Sequence, residues 1–283
     1  MARTFTQCQL IEQTIVRRYH EQLWSPFCKA IKRYELIKPN DRIAVCISGG
    51  KDSMLMAKMM QMLSRHTEIP FEVRFLVMDP GYNERNRRQI EENLRYLEIP
   101  ATIFESTIFD VANAQTKNAC FLCARMRRGF LYDRARELGC NKIALGHHFD
   151  DVIGTTVMGM FYGGQLQAMI PKLKAKNFPG MELIRPLYLI HEDDIITWQK
   201  ANGLNFIQCA CRFTENEAQN DVHASKRLEI KELIRSLKTT NPNIERNIFA
   251  SIHMLQLDTM VGWKYRGREY TFLDDYERST EGE

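Results

Sequence analysis

A wholly apolar run at residues 43–47 breaks at Ser48-Gly49-Gly50 and gives way to a Met- and Leu-rich segment from about Asp52 to Ser64. Such a run is typical of a parallel strand covered on both faces, and the segment after it is typical of a helix. Two glycines let the backbone approach an anion, and a helix N-terminus offers unpaired N–H groups. The junction therefore predicts a phosphate site between a strand and a helix.

The alternation of strand and helix continues along the chain. Further strands are predicted at 72–78, 101–104, 142–145, 181–184 and, last, 205–208. Helices are predicted near 83–97, 123–138, 150–162 and 192–201. Strands that alternate with helices at this spacing indicate an α/β fold, a doubly wound parallel sheet.

No repeat, low-complexity tract or obvious linker divides the chain. Residues 1–40 lack glycine and combine apolar with basic side chains, so we predict an amphipathic helical segment there. We assign the α/β domain to 41–213 and a helical extension with a polar tail to 214–283. No apolar stretch approaches the ~20 residues of a membrane span, and the N-terminus lacks the apolar core of a secretory signal. We therefore expect a cytoplasmic protein with no membrane partner.

The eight cysteines divide into single and clustered ones. Cys8, Cys28, Cys46 and Cys140 occur singly and are expected to be small buried side chains. The clustered cysteines are Cys120, Cys123, Cys209 and Cys211. In a cytoplasmic chain such a cluster indicates metal or redox chemistry. Spacing alone leaves three possibilities open: four-cysteine zinc, a three-cysteine [4Fe–4S] cluster, or a redox disulfide.

The phosphate loop offers several ligands besides its backbone. Ser48 and Ser53 supply hydroxyl groups, Lys51 supplies a positive charge, and Asp52 either holds Mg²⁺ or caps the helix. The loop differs from the Walker form and resembles the PP-loop of ATP pyrophosphatases. That resemblance implies ATP as substrate, attack at the α phosphorus and loss of pyrophosphate.

Two other strand ends are predicted to reach the same edge of the sheet, where ligands of open α/β sheets bind. Asp79 ends one of these strands. The second continues into Gly146-His147-His148-Phe149-Asp150-Asp151. Either histidine is a candidate nucleotide or substrate contact, and Asp150 or Asp151 is a candidate Mg²⁺ ligand. The alternative is that Asp150 only caps its helix.

A larger set of motifs occurs in a fixed order. It comprises S-G-G-K-D-S, C-x-x-C followed by Arg125-Met126-Arg127-Arg128-Gly129, the Gly146-His147-His148 segment, Met160-Phe161-Tyr162-Gly163-Gly164, Ile184-Arg185-Pro186-Leu187 and the late cysteine pair. Over about residues 30–255 this order resembles the tRNA 2-thiocytidine synthetase family of PP-loop tRNA sulfurtransferases. The resemblance implies a fold of the adenine nucleotide alpha hydrolase-like type.

The resemblance also implies a reaction and its cofactors. The C2 oxygen of a pyrimidine, cytidine in the anticodon loop, is adenylated with ATP and Mg²⁺ and replaced by sulfur delivered on a [4Fe–4S] cluster. The implied cluster ligands are Cys120, Cys123 and, by the preceding predicted strand, Cys209. The family often reads P-C-x-x-C there, whereas this chain has Gln208-Cys209-Ala210-Cys211, so Cys211 is the alternative.

The expected roles follow from the loop, the strand ends and the resemblance together. The expected catalytic residues are Asp52, Asp151, Cys120, Cys123 and Cys209. The expected nucleotide-binding residues are Ser48, Gly49, Gly50, Lys51, Asp52, Ser53, Asp79, Gly146 and His147. The expected partners are tRNA, a sulfur donor (sulfide or persulfide derived from a cysteine desulfurase) and a second copy in a homodimer. Arg125, Arg127, Arg128, Arg17, Arg18, Lys32 and Arg33 are candidate phosphate contacts.

Two other functions fit parts of the sequence. One is a PP-loop adenylating ligase in which the four clustered cysteines hold structural zinc. The other is a non-enzymatic RNA-binding protein with a degenerate nucleotide site. The intact loop from Ser48 to Ser53 argues against the second, and metal content distinguishes the first.

Overall fold

The computed structural model describes residues 5–106, 119–207 and 222–276. Within these ranges the side chains of 119–125, 222–225 and 275 are not described. Cys209 and Cys211 therefore lie outside the described residues, and Cys120 and Cys123 are placed by their backbone alone. No helix in the described ranges is long and apolar enough to cross a membrane.

The main sheet has the order β3-β2-β1-β4-β6-β5 over the described chain. Its strands are β1 Arg42–Ile47, β2 Glu72–Asp79, β3 Ala101–Glu105, β4 Lys142–Ala144, β5 Lys172–Lys174 and β6 Glu182–Ile184. All pairs are parallel except β5 with β6, which is antiparallel. The chain winds outward from β1 to β3 and then returns to place β4 on the other side of β1. The gap beyond β1 and β4 is the topological switch point, where open α/β sheets bind ligands.

Helices cover both faces of this sheet. They are α1 Gln7–Gln13, α2 Ser25–Arg33, α3 Lys51–His66, α4 Glu84–Tyr96, α5 Ala119–Glu137, α6 Phe149–Gly163, α7 Glu192–Ala201, α8 Val222–Thr240, α9 Ile244–Ser251 and the short α10 Leu273–Tyr276. Two π-helical turns, Thr14–Arg18 and His20–Trp24, join α1 to α2, and a 3₁₀ turn spans Leu257–Thr259. The prediction of a doubly wound α/β fold is confirmed.

One predicted strand was wrong, and one hairpin was not predicted. Residues 205–207 are not a strand, because the Asn205 carbonyl accepts hydrogen bonds from the side-chain amides of Asn93 (2.9 Å) and Gln89 (3.1 Å) instead of a sheet partner. The tail also contains a hairpin, β7 Gly262–Tyr265 and β8 Arg268–Thr271. Its register places Trp263 opposite Tyr270 with stacked rings, a cross-strand pair that polar composition concealed.

The N-terminal segment shares the core of the α/β domain. Ile11, Ile15, Leu23 and Phe27 are fully buried and pack in one cluster with side chains of α3, α7 and the sheet. The spacing of these four residues fits one face of a helix. The amphipathic segment therefore packs on the main domain as predicted, while the boundaries at 40 and 213 stay predictions.

A buried ion pair fastens this segment to α3. Lys58 is fully buried, and its Nζ lies 2.7 Å from Glu12 Oε1 and 2.7 Å from Gln61 Oε1. We expect Glu12→Ala to lower the free energy of unfolding by about 3 kcal/mol, because it leaves a buried charge without its carboxylate partner. Urea denaturation measures this change. Glu21→Ala, at an exposed site in the same segment, is the control, and an equal loss there would contradict the prediction.

Candidate active site

The phosphate loop is tightly closed on itself between β1 and α3. The Ser53 hydroxyl accepts hydrogen bonds from Ser48 N–H (3.1 Å) and from the Ser48 hydroxyl (3.2 Å), and it donates one to the Gly50 carbonyl (2.9 Å). Gly49 has φ +86°, a left-handed conformation that glycine adopts without strain. These hydrogen bonds fix the shape of the loop at the start of α3.

Two glycines are required by close packing. A Cβ on Gly49 would lie 2.7 Å from Ile207 Cδ1 and 2.7 Å from Ile90 Cγ1. A Cβ on Gly146 would lie 3.1 Å from the backbone nitrogen of Ser53. The carboxyl end of β4 therefore lies directly against the first turn of α3, as expected from the two motifs. Glycine at both positions leaves the α3 N-terminus accessible to a phosphate.

Asp52 presents a carboxylate beside this loop. Its Oδ1 is buried without an aligned hydrogen-bond donor among the described residues, and Lys51 Nζ lies 3.1 Å from Oδ1 and 3.2 Å from Oδ2. Gly50 is the N-cap of α3, so Asp52 does not cap the helix. Both carboxylate oxygens keep lone pairs that a cation can use, and Mg²⁺ prefers oxygen ligands.

Lys51 is held by a residue that sequence reasoning missed. Its Nζ lies 3.0 Å from Oε1 of Glu192, the first residue of α7, and Oε2 of Glu192 pairs with Lys231 of α8. Burial alone would lower the pKa of Lys51, but Asp52 and Glu192 raise it above its usual range. Lys51 is therefore a charged group held at the loop. The only sequence signal for Glu192 was its place at the start of a helix after the Arg185-Pro186 break.

The end of β4 gathers a histidine and two carboxylates. His148 is buried, and its backbone N–H donates to Asp151 Oδ2 at 3.0 Å. The Asp150 carboxylate accepts the Glu192 N–H at 2.8 Å and so ties α6 to α7, rather than capping its own helix. Burial opposes ionisation of Asp150, but His148 and the Glu192 N–H lower its pKa to about 2. Burial alone would likewise lower the pKa of His148, and the carboxylates raise it.

Both carboxylate oxygens of Asp79 bind groups of the turn after β2 and of the helix that follows it. Its Oδ1 accepts the N–H groups of Gly81 (2.8 Å) and Tyr82 (2.7 Å), and its Oδ2 lies 2.5 Å from Arg87 Nη1. The carboxylate therefore shapes the turn after β2. That turn reaches the phosphate loop, because the buried Tyr82 phenol donates to the Ser48 carbonyl at 3.3 Å.

The helix that carries the first cysteine pair reaches the same place. Cys120 and Cys123 lie in the first turn of α5, three residues apart and thus on one face, and a helix N-terminus favours thiolates. One turn further, the charged Arg127 lies near the Tyr82 phenol; burial raises the pKa of that phenol to about 12, and Arg127 opposes the rise. Through Tyr82, the start of α5 adjoins the phosphate loop.

The segment before the second cysteine pair also contacts this loop. Ile207 packs where a Gly49 side chain would stand, and its carbonyl oxygen would lie 3.7 Å from a Cβ on Gly50. Cys209 follows two residues later in the sequence. Among the side chains that the structure describes, no group of three His, Cys, Asp or Glu is placed to hold a metal. The two cysteines at the start of α5 supply soft thiolates, which suit iron–sulfur or zinc sites.

The single cysteines take no part in this site. Cys8, Cys46 and Cys140 are buried and Cys28 is half-buried, all as free thiols. Burial raises the pKa of all four thiols, that of Cys46 to about 12. Their prediction as small buried side chains is confirmed, although Cys28 is less buried than expected.

A cavity of about 260 Å³ lies beside the carboxylates, between α6, α7 and α8. Ile153, Met158, Ile230 and Ile234 form its apolar wall. Its polar lining includes His148, Asp151 and Glu192, with Arg227, Lys231, Arg235 and Lys238 from one face of α8. Space for a ligand therefore adjoins the groups that surround Lys51 and Asp52.

A strand-to-helix phosphate loop at the switch point, with lysine and aspartate at the start of the helix, defines an ATP-binding PP-loop domain. The family model described as a PP-loop domain matches residues 15–222. The solved U34-tRNA thiolase NcsA from Methanococcus maripaludis, with its [4Fe-4S] cluster, has a similar fold, with a TM-score of 0.65 at 21% identity. That similarity covers 85% of this chain and 80% of that one.

Curated relatives narrow the assignment. The chain is 34% identical to the tRNA-cytidine(32) 2-sulfurtransferase of Citrifermentans bemidjiense over 228 residues, 79% of this chain and 86% of that protein. It is 35% identical to the protein of the same name from Syntrophotalea carbinolica over 231 residues, 81% and 86% of the two chains. The chain belongs to the tRNA-cytidine(32) 2-sulfurtransferase family. The expected family and fold class are thereby confirmed.

Proposed function

We propose that this protein is an ATP-dependent tRNA sulfurtransferase that adenylates the C2 oxygen of a cytidine and replaces that oxygen with sulfur. One observation carries the proposal. Both cysteine-bearing segments adjoin the same phosphate loop, α5 through the Arg127–Tyr82 contact and the chain before Cys209 through Ile207 on Gly49. In a site of this form, the place where ATP activates the base lies close to the cysteines that would deliver the sulfur.

ATP is held at the start of α3. The backbone of Ser48, Gly49 and Gly50 and the hydroxyl of Ser53 surround the departing phosphates, with Gly146 and His147 on the facing strand end. Lys51 supplies a positive charge, and Asp52 with Asp151 holds Mg²⁺. Asp79 acts indirectly, because its oxygens are occupied in the turn that positions Tyr82 against the loop.

The first step is attack of the cytidine C2 oxygen on the α phosphorus, which breaks the bond to pyrophosphate. Lys51 and Mg²⁺ neutralise the charge that develops on the leaving pyrophosphate. The C2 oxygen then carries AMP, a better leaving group than oxide. Sulfide displaces AMP from C2, and the AMP leaves with the former C2 oxygen.

Cys120, Cys123 and Cys209 would hold a [4Fe–4S] cluster beside this position. When bound, such a cluster supplies a Lewis-acidic iron and a place for sulfide. The contact between Arg127 and Tyr82 keeps the helix that bears Cys120 and Cys123 beside the phosphate loop. The backbone of that helix thus begins close to the place where the base would be activated.

The remaining partners follow from this reaction. The substrate is tRNA, and the sulfur arrives as sulfide or persulfide from a cysteine desulfurase. The protein works in the cytoplasm as a homodimer. Size-exclusion chromatography with light scattering tests the oligomeric state, and a monomer at working concentration would contradict it.

The reaction itself predicts the products. Anaerobically purified protein should cleave ATP to AMP and pyrophosphate when tRNA is present, because attack occurs at the α phosphorus. Chromatography of the nucleotides measures this, and mass spectrometry of the digested tRNA measures 2-thiocytidine. Release of ADP and phosphate would contradict the proposal. A colourless protein with one zinc per chain would instead favour an adenylating ligase with structural zinc.

A further inference from the structure

Arg185 is a half-buried cation at the carboxyl end of β6, close to the ATP site. One guanidinium nitrogen, Nη1, donates to the Ile170 carbonyl, but Nε is buried and has no hydrogen-bond partner among the described residues. An unsatisfied buried donor costs free energy. The guanidinium is therefore only partly satisfied by its own chain.

Other shielded cations of this protein are paired. Lys51, Lys58, Lys142 and Arg87 each lie within 3.2 Å of at least one carboxylate oxygen. Arg185 forms no ion pair with any residue that the structure describes. The charge of a second arginine, Arg128, acts on Arg185 instead. Burial and this like charge together lower the pKa of Arg185 to about 10.

Arg128 is exposed on α5, five residues after Cys123, and it too has no ion pair within the described ranges. It lies one turn before Tyr132, which packs in one buried cluster with Ile143 of β4 and Leu183 of β6, so α5 brings Arg128 near these two strands. Neither guanidinium group forms an ion pair with a carboxylate among the described residues, so their mutual repulsion has to be offset by the packing of the surrounding chain. Such an arrangement is typical of a site for a phosphate, which arginine binds through two parallel N–H groups.

His147 completes the cluster. Its Nδ1 is buried without a hydrogen-bond partner among the described residues. Burial, and then the charge of Arg185, lowers the pKa of His147 to about 4, so the ring is neutral near pH 7. The Asp151 carboxylate opposes the lowering of the pKa of both His147 and Arg185. One of its oxygens accepts a hydrogen bond from the backbone N–H of His148 at 3.0 Å.

We propose that Arg128, Arg185 and His147 form a phosphate-binding site at the ends of β4 and β6. Its ligand is a singly charged phosphate bridged to two oxygen substituents, from the tRNA backbone beside the target base or from the α-phosphate of ATP. The position suits both sources, because β4 adjoins the phosphate-loop strand β1, and α5 carries Cys120 and Cys123. This inference rests on the proposed function, since it assumes a tRNA or ATP substrate.

The test compares Arg128→Gln with Arg136→Gln in the full-length holoenzyme. Both variants remove one exposed positive charge from α5, but Arg136 pairs with Asp133 on the same helix at 3.2 Å. Arg185→Gln and the charge-conserving Arg185→Lys form the second pair. The measurements are the Kd for tRNA over a range of salt concentrations, and the Kd for ATP with Mg²⁺.

Each result has a definite meaning. A tRNA backbone ligand predicts that Arg128→Gln and Arg185→Gln each raise the tRNA Kd about tenfold and lower the slope of log Kd against log salt by about one, with the ATP Kd unchanged. An α-phosphate ligand predicts the rise in the ATP Kd instead. In either case Arg185→Lys should recover part of the loss.

The inference is overturned if neither Kd changes more in Arg128→Gln than in Arg136→Gln. Arg128→Gln decides this even if Arg185→Gln proves unstable, because position 128 is exposed. Thiolation and AMP release by the wild-type protein are measured in parallel. If the wild-type protein is active while these dissociation constants stay unchanged, only the phosphate site is wrong. If the wild-type protein makes no thiolated tRNA, the proposed function fails instead.

Discussion

Cys209→Ala is expected to lose its iron and all thiolation of tRNA, whereas Cys211→Ala is expected to keep most of its iron. A cluster held by three thiolates leaves one of the four clustered cysteines without an iron bond. Ile207 packs on Gly49 of the phosphate loop, and a chain advances at most ~3.5 Å per residue. The chain length therefore allows at most ~7 Å between the Cα atoms of Ile207 and Cys209, and ~14 Å between those of Ile207 and Cys211. The shorter reach favours Cys209 as the third ligand.

Both variants should be reconstituted side by side under anaerobic conditions. Iron per chain, absorbance near 400 nm and 2-thiocytidine in digested tRNA are the measurements. About four irons per chain are expected for the wild-type protein and for Cys28→Ala, a control at a half-buried free thiol that occurs singly in the sequence. Reduced activity of Cys211→Ala with normal iron would indicate that Cys211 lies next to the cluster ligands and is not itself a ligand.

Two other outcomes would reverse or replace this assignment. Retention of iron by Cys209→Ala with its loss from Cys211→Ala would make Cys211 the ligand. Loss of metal from both variants, with zinc in the wild-type protein, would establish a structural site of four cysteines. Iron content and zinc content therefore have to be measured on the same samples.

Asp52→Ala is expected to lower the rates of ATP cleavage and thiolation by about a thousandfold or more, while the iron content stays normal. The substitution removes the carboxylate that is the proposed ligand for Mg²⁺, including its buried Oδ1. It also removes one of the two carboxylates beside Lys51, although Glu192 remains at 3.0 Å. Loss of Mg²⁺ leaves the charge on the departing pyrophosphate without its strongest compensation.

A matched control removes a carboxylate far from the chemistry. Asp133→Ala takes the same charge from an exposed position of α5, where it pairs only weakly with Arg136. Single-turnover assays of AMP formation should separate the two variants. Normal AMP formation by Asp52→Ala would remove Asp52 from the site. Loss of iron from Asp52→Ala would show that the substitution disturbs the fold rather than the nucleotide.

The sequence predicted the elements and the edge of the sheet where the site lies. The apolar run before Ser48 and the helix after it required only local periodicity, and the Gly146 motif was placed by the rule that parallel strands end together. The structure brings them into contact, with a Cβ on Gly146 only 3.1 Å from Ser53 N. The resemblance supplied the family, which the similarity to curated relatives confirms, and the reaction, which is proposed above.

Local patterns failed where a distant partner decides the structure. Residues 205–207 read as a strand, but side-chain amides of α4 bind the Asn205 carbonyl. Asp79 was expected at the nucleotide site from its place at a strand end; Arg87 and two turn N–H groups occupy its oxygens, and its nucleotide role stays a prediction. In each case the competing group is polar and leaves no periodic signal.

The groups that surround the phosphate loop were decided by tertiary structure alone. Lys51 and Glu192 are separated by 141 residues, and nothing in either segment marks the other. Arg185 and Arg128 come together from β6 and α5 in the same way. Hydrophobic periodicity fixes which residues form strands and helices because it acts between near neighbours. Which charges meet at the ends of those elements depends on how the packed layers align, and only the folded chain determines that.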